Sequence, residues 1–344
     1  MLVEVLINGY TGQNFSTDFI PAQGGDYIRE LSFGVITIAF TLVTFVLYAV
    51  VLKIIYNERD FKQNHSQRIM FHLGIADSFQ LLIHASTGVY LIAQYESYGW
   101  LEKIQGAIMN GMWCTSLVHT ALLAINRAVF IVFFQSYRRI FKEPVFYICM
   151  TICWSFFLIV TIVDLTDFSL MVYVLPTYTF QYLAEYPWGG TVREFSNQLI
   201  LYSVLLAAIS YIVIFVYVFT HTAPSKRELL LTIQVFFICS YSVFGYCIWT
   251  YCPVVDSPTA YFACNFIWVL WNGINPYIMV LFNRKIREVL TSHRFIQIIT
   301  GDAKSLASNV SVIPRARASS FNQVTVISNL AKNPAIRPAS TPPR

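Results

Sequence analysis

Seven stretches of mostly apolar residues, separated by polar segments, run along the chain at approximately 31–56, 69–94, 104–134, 145–167, 197–221, 229–252 and 259–282. A helix needs about 20 such residues to cross roughly 30 Å of hydrocarbon. Within lipid a spanning segment must also satisfy its own backbone hydrogen bonds, so each stretch predicts a transmembrane α-helix. The connections are short except the one near 168–196. Beyond the last stretch, Phe282, Ile286, Val289 and Leu290 recur at helical spacing beside Arg284, Lys285 and Arg287. That pattern predicts a short amphipathic helix lying on the membrane surface. The fold class expected is therefore an all-α membrane protein. A seven-transmembrane bundle and its amphipathic helix occupy 31–290, between an N-terminal segment, 1–30, and a tail, 291–344. From residue 300 onward the tail is rich in Ser, Asn, Pro and Arg and poor in aromatics, the composition of a disordered segment.

Composition agrees with the pattern. Hydrophobic residues make up 56% and charged residues 12% of the chain, with mean hydropathy +0.56. Soluble proteins carry about a quarter charged residues, so a soluble class is excluded. A formal charge of +5 is too small to suggest a nucleic-acid partner, but its placement is informative. Thirteen Lys and Arg residues fall in one set of loops and flanks, from Lys53 through Arg138 and Arg227 to Arg294; the other set holds Arg29, Lys103 and Arg193. The positive-inside rule then puts the N-terminus outside and the C-terminus in the cytosol, as an odd number of spans requires. Asn14-Phe15-Ser16 is a glycosylation acceptor on the outer side, whereas Asn64 and Asn309 lie in matching motifs on the cytosolic side and should stay unmodified. The first 30 residues contain Glu4, Asp18, Asp26 and Glu30 and lack a basic start followed by an apolar stretch, so no cleavable signal peptide is expected. The seven cysteines have no ligand-like spacing, and His72, His84 and His119 form no metal pattern, so neither metal nor cofactor is expected.

Polar residues inside spans are costly and therefore carry information. Asp77, in LGIADSF, falls near the middle of the second span, where an unpaired carboxylate costs about 2.5 kcal/mol or more. It must be protonated, hydrated or paired; Ser116 on the third span and Asn272 and Asn275 on the seventh are candidates to join it, as a water network or a sodium site. In LLAINRAVFI, Asn126 and Arg127 sit near the cytosolic end of the third span. Depth alone is compatible with a snorkelling arginine, but uncharged, mostly apolar sequence continues to Tyr137, where an ordinary anchor would end the span. Pro276, following Asn275, removes a backbone donor and predicts a kink or hinge in the seventh span.

These features occur together in an order that resembles the rhodopsin-like seven-helix receptors: LGIAD on the second span, LAINR on the third, Trp154 in the fourth and NPYIMVLFNRKIR closing the seventh. The short third cytosolic loop, about 222–228, and the LGIAD and LAINR wording are most similar to nematode serpentine chemoreceptors. The resemblance covers roughly residues 30–290. It implies that Arg127 is the cytosolic arginine facing a G protein, that Asp77 and Ser116 are interior ion-site positions, and that Asn275 and Pro276 form the hinge of the seventh span. The acid that usually precedes the arginine is here Asn126, so any resting restraint must come from elsewhere, with Glu228 at the start of the sixth span as the candidate. Glu102 replaces the cysteine that usually tethers the 168–196 loop, and that loop contains no cysteine.

A ligand is expected in the outer third of the bundle, since small-molecule sites are concave, mostly apolar and marked by a few polar groups. Met109, Asn110 and Trp113 flank that region from the third span; Tyr246 and Trp249 would close its floor from the sixth. Residues 176–188, PTYTFQYLAEYPW, fit a lid or hairpin above it. No lysine lies between 259 and 282, which excludes a retinal Schiff base. In the tail, Ser319 and Ser320 follow Arg315 and Arg317 as a basic-directed kinase site. The expectation is a non-enzymatic, G-protein-coupled chemosensory receptor in the plasma membrane, sensory cilia included. Its partners would be an extracellular small molecule or peptide, membrane lipid and a heterotrimeric G protein, engaged by outward movement of the sixth helix. A transporter or channel is the rival, although no inverted repeat or charged pore lining is evident.

Overall fold

A computed structural model of the protein describes residues 25–58, 61–94, 99–183, 185–221, 226–251 and 257–291. Seven long helices account for most of them: α1 (Gly25–Asn57), α2 (His65–Ala93), α3 (Trp100–Val132), α4 (Glu143–Leu165), α5 (Gly189–Thr220), α6 (Lys226–Tyr251) and α7 (Pro258–Phe282). The short α8 (Arg284–Leu290) follows. Each apolar stretch sits within its helix to within two residues at the ends. The helices also run beyond the apolar windows, most of all α5, which starts at Gly189 rather than 197. Its first two turns, GGTVREFS, are too polar to register as a span yet contain no breaker after the glycines. Asp164 closes α4 from within, while Asn14, Ser319, Ser320 and the tail from 292 lie outside the described residues, as does the side chain of Glu228.

Five of these helices are long and apolar enough to cross a membrane by composition alone. The other two, α2 and α7, carry Asp77, Gln80, His84, Asn265, Asn272 and Asn275, all buried. Their polar groups face protein rather than lipid, which is why hydropathy underrates them. Burial also orders the bundle. In α3, 61% of the apolar window is buried, against 28% in α1 and α4, so α3 is the central helix and the other two present apolar faces outward. Val43, Val46, Ile159, Ile162 and Phe219 are among the large exposed apolar residues, the surface expected to meet acyl chains.

The long connection after α4 folds as an antiparallel hairpin, β1 (Met171–Val174) with β2 (Thr179–Tyr182), in the register Met171↔Tyr182 to Val174↔Thr179. All four β1 residues are buried. Gly106 of α3 makes the docking possible: a Cβ there would lie 1.8 Å from the Met171 carbonyl oxygen. No disulfide joins the described cysteines. Close packing, rather than a cystine, holds this connection against α3. The same end of the bundle contains the start of α1 and of α7, since Phe33 stacks on Phe262 at 3.9 Å and meets Tyr178 edge-on.

At the opposite end α3 stops at Val132, and after Phe133 the chain forms a separate short helix, Phe134–Ile140. Asn283 caps α8 by accepting from the backbone amides of Lys285 (3.1 Å) and Ile286 (3.4 Å). Ile286 and Val289 are buried beneath it and Lys285 pairs with Glu58 at 3.0 Å, so α8 is anchored to the end of α1 on its apolar and polar sides at once.

Candidate functional site

Buried polar groups gather at two internal features and at one end of the bundle. The first is built around Asp77. Its Oδ2 accepts from the Tyr48 hydroxyl at 2.7 Å and from Asn275 Nδ2 at 2.7 Å; its Oδ1 accepts from Ser116 Oγ at 2.8 Å. Ser116 in turn accepts from Gln80 Nε2 at 3.1 Å. One carboxylate thereby ties α1, α2, α3 and α7 together, and both its oxygens are occupied. Beside it lies a void of about 10 Å³ lined by Ser116, Trp113, Tyr241, Ser242, Trp271 and Asn275, the scale of a single water. Asp77, Ser116 and Asn275 thus come together as their positions on the spans suggest. Asn272 sits elsewhere, its Nδ2 3.4 Å from His84 Nε2. Tyr48 and Gln80 were not anticipated; both are polar side chains in apolar runs, the signal that singled out Asp77. Helix α7 continues through Pro276, with Asn275 held by Asp77 one residue before it.

Above this core, toward the hairpin, opens a cavity of about 400 Å³. It lies among α3, α5, α6, α7 and the β hairpin. Of the residues expected there, Asn110, Trp113, Tyr246 and Trp249 line it. Met109 does not: it is fully buried in an apolar cluster that also holds Tyr90, Trp113, Val160 and Tyr173. Trp113 and Trp271, edge to face with centroids 4.9 Å apart, line both the cavity and the void beside Asp77, and so form the partition between them. Trp271 and Trp268 of α7 were missed because an aromatic in an apolar helix carries no sign of which way it faces. Hairpin residues Thr179, Phe180, Gln181 and Tyr182 form one wall, and the extension of α5 contributes Arg193, Ser196 and Asn197.

A buried cluster braces this wall. Asp164 accepts from Asn110 Nδ2 and from Ser169 Oγ, both at 2.6 Å, and Ser196 Oγ lies 3.5 Å from Asn110 Oδ1 and 3.1 Å from the Tyr182 hydroxyl. Asp164 fixes the side chain of Asn110 at the cavity edge. Asp167 is apart from it, exposed and paired with Lys103 at 3.2 Å.

At the α8 end, Asn126 accepts from the Ser66 hydroxyl and donates to the Tyr137 hydroxyl at 3.1 Å. Tyr137 lies 3.2 Å from His65 Nδ1, and Arg68 forms a two-pronged pair with Glu143 at 2.9 and 3.1 Å while stacking over Phe146. The residue in the place of the usual acid is therefore a neutral hydrogen-bonding bridge between α2, α3 and the short helix. Arg127 is only 2% exposed, with its guanidinium carbon 5.8 Å from the Phe130 ring. Burial to that degree is not the posture of a snorkelling side chain, which keeps its head in water.

The chain is thus a helical membrane bundle with a cavity at one end and a polar core beneath it. Residues 22–302 match the family described as serpentine type 7TM GPCR chemoreceptor Srt, and the chain belongs to that family. A search of curated proteins found no match.

Proposed function

We propose that the protein is a G-protein-coupled chemosensory receptor of the plasma membrane, with the hairpin end outside and the α8 end in the cytosol. The observation that carries this reading is the shared tryptophan partition. A ligand in the cavity touches Trp271, and Trp271 touches α6: a Cβ added at Gly245 would lie 2.3 Å from its ring. A glycine here lets α6 seat directly against the indole, so a ligand that displaces the ring pushes on α6 itself. Beneath the same ring, the Asp77 cluster couples α7 to α1, α2 and α3.

The ligand shifts the resting equilibrium only by its differential affinity for the two arrangements of α6. Movement of α6 away from α3 would open a cleft around Arg127, bordered by residues 135–143, 222–228 and 282–290, where a heterotrimeric G protein binds. Restraint in the resting state comes from Glu228 acting on Arg127 and from the Asn126–Tyr137 bridge. Pro276 supplies the hinge. No covalent step is required of the chain.

The test is expression with a panel of G proteins, screening small molecules and peptides for a second-messenger response. Arg127→Ala should abolish the response while leaving ligand binding intact. An unchanged response in that variant overturns the coupling role.

A further inference from the structure

We infer that the cavity selects acidic ligands: an apolar or aromatic body carrying a carboxylate, held at Arg193, with a second hydrogen-bonding group farther along. This rests on the reading of the cavity as the ligand site and gives that ligand a chemical class.

Charge inside the cavity is one-sided. Arg193 is the single cationic side chain among the described lining residues, and none of them is Asp or Glu. It is half-buried and makes no hydrogen bond or ion pair with any described residue. Two carboxylates of the neighbouring segments are otherwise engaged. Glu194 accepts from Gln198 at 2.7 Å, and Asp164 is saturated by Asn110 and Ser169 behind the wall. The other basic residues on this end point elsewhere: Lys103 pairs with Asp167 and Arg29 with Glu30. An arginine partly removed from water and left unpaired is a ready partner for a carboxylate, to which its planar fork can donate two parallel hydrogen bonds. Asn197, in the next turn of α5, supplies a neutral amide beside it.

An independent observation comes from the α7 wall. Trp268 and Asn265 are 8% and 3% exposed; Trp268 Nε1 and Asn265 Oδ1 have no hydrogen-bond partner, and both residues line the cavity. Buried polar atoms are rarely left unmatched. An indole N–H and an amide oxygen together match a group that both accepts and donates, such as a hydroxyl or an amide. Between the α5 and α7 walls the surface is aromatic, with Trp113, Phe180, Trp249 and Trp271, and suits a flat or flexible apolar body.

The experiment uses the full chain in phosphatidylcholine nanodiscs and reads the fluorescence of the cavity tryptophans. Probes are straight-chain and phenyl-substituted monocarboxylates of about six to twelve carbons, a size such a cavity admits, with their matching primary amides and amines. Acids should bind at least about tenfold more tightly than their amides, the discrimination expected when a charge-assisted hydrogen bond is lost. Arg193→Gln should erase that preference, Arg193→Lys should keep part of it, and Trp268→Phe should weaken hydroxylated acids more than plain ones. Equal binding of acids and amides, an acid preference that survives Arg193→Gln, or no binding by any probe overturns the inference. Competition by added phosphatidylserine, whose head group carries a carboxylate, would identify a lipid as the source of the anion; its absence would identify a free acid. If acids bind through Arg193 yet no G protein responds, the cavity chemistry stands and the coupling proposal fails. If instead a neutral agonist acts through Trp271 with no effect of Arg193→Gln, the receptor proposal stands and this one fails.

Discussion

Replacing Asp77 by alanine removes the acceptor shared by three buried donors, Tyr48, Ser116 and Asn275, which are 0%, 7% and 5% exposed. Leaving a buried donor unmatched costs about 1–3 kcal/mol. The adjoining void of about 10 Å³, enlarged by the missing carboxylate, admits water that satisfies part of the loss. The net cost is then about 3–5 kcal/mol, or roughly 6–10 °C in apparent melting temperature for a chain of this size. Asp77→Asn is the informative control. Its amide oxygen can take the place of Oδ2, accepting from Tyr48 and Asn275, while its NH2 faces Ser116, whose hydroxyl rotates to accept. That variant should lose only about 1 kcal/mol, roughly 2 °C. A thiol-reactive dye suits the measurement, because Cys114, Cys153 and Cys239 are buried in the folded bundle and become reactive on unfolding. If Asp77→Ala melts within about 1 °C of the parent, or no lower than Asp77→Asn, the carboxylate is not the tie between helices described above.

The docking of the hairpin gives a second expectation: Gly106→Ala forces a shift of the Met171 backbone and should cost about 1–3 kcal/mol in the same melting assay, whereas Gly190→Ala, with nothing within 4 Å of the added carbon, should cost nothing or stabilise α5. Tyr137→Phe removes the hydroxyl between Asn126 and His65 and should lower stability by about 1 kcal/mol while raising basal nucleotide exchange on a co-expressed G protein; unchanged exchange would mean the bridge does not restrain the α8 end. For orientation, glycosidase should shift the mobility of the parent chain but not of Asn14→Gln. A glycan at Asn64, whose side chain caps α2, would reverse the assignment.

The architecture was legible because spanning helices are written in runs of about 20 apolar residues, and all seven runs lie in helices. Residues whose chemistry conflicts with their surroundings were also legible. Asp77, Ser116 and Asn275 meet because each polar group in an apolar setting must find the others. What the pattern could not convey was rotation about a helix axis. Met109 and Asn110 are adjacent in sequence, yet the first is sealed in an apolar cluster and the second borders the cavity. Trp268 and Trp271 look like any lipid-facing aromatics until α6 is packed against them. Arg193 was counted among loop charges because the first turns of α5 are too polar to read as part of a span, although they are helical and deliver it to the cavity. The tether of the long connection left no motif either, since it depends on the absence of a side chain at Gly106.

In the proposed mechanism, occupancy of the cavity is transmitted through Trp271 and α6 to a G protein at the far end. The most direct measurement is nucleotide exchange on a purified heterotrimer driven by the purified chain in nanodiscs, with and without a cavity-binding probe. The probe should accelerate exchange, Trp271→Ala and Arg127→Ala should each abolish the acceleration, and the probe should still bind to Arg127→Ala. Acceleration that survives both substitutions, or a probe that drives ion flux across liposomes without any exchange, would contradict this mechanism.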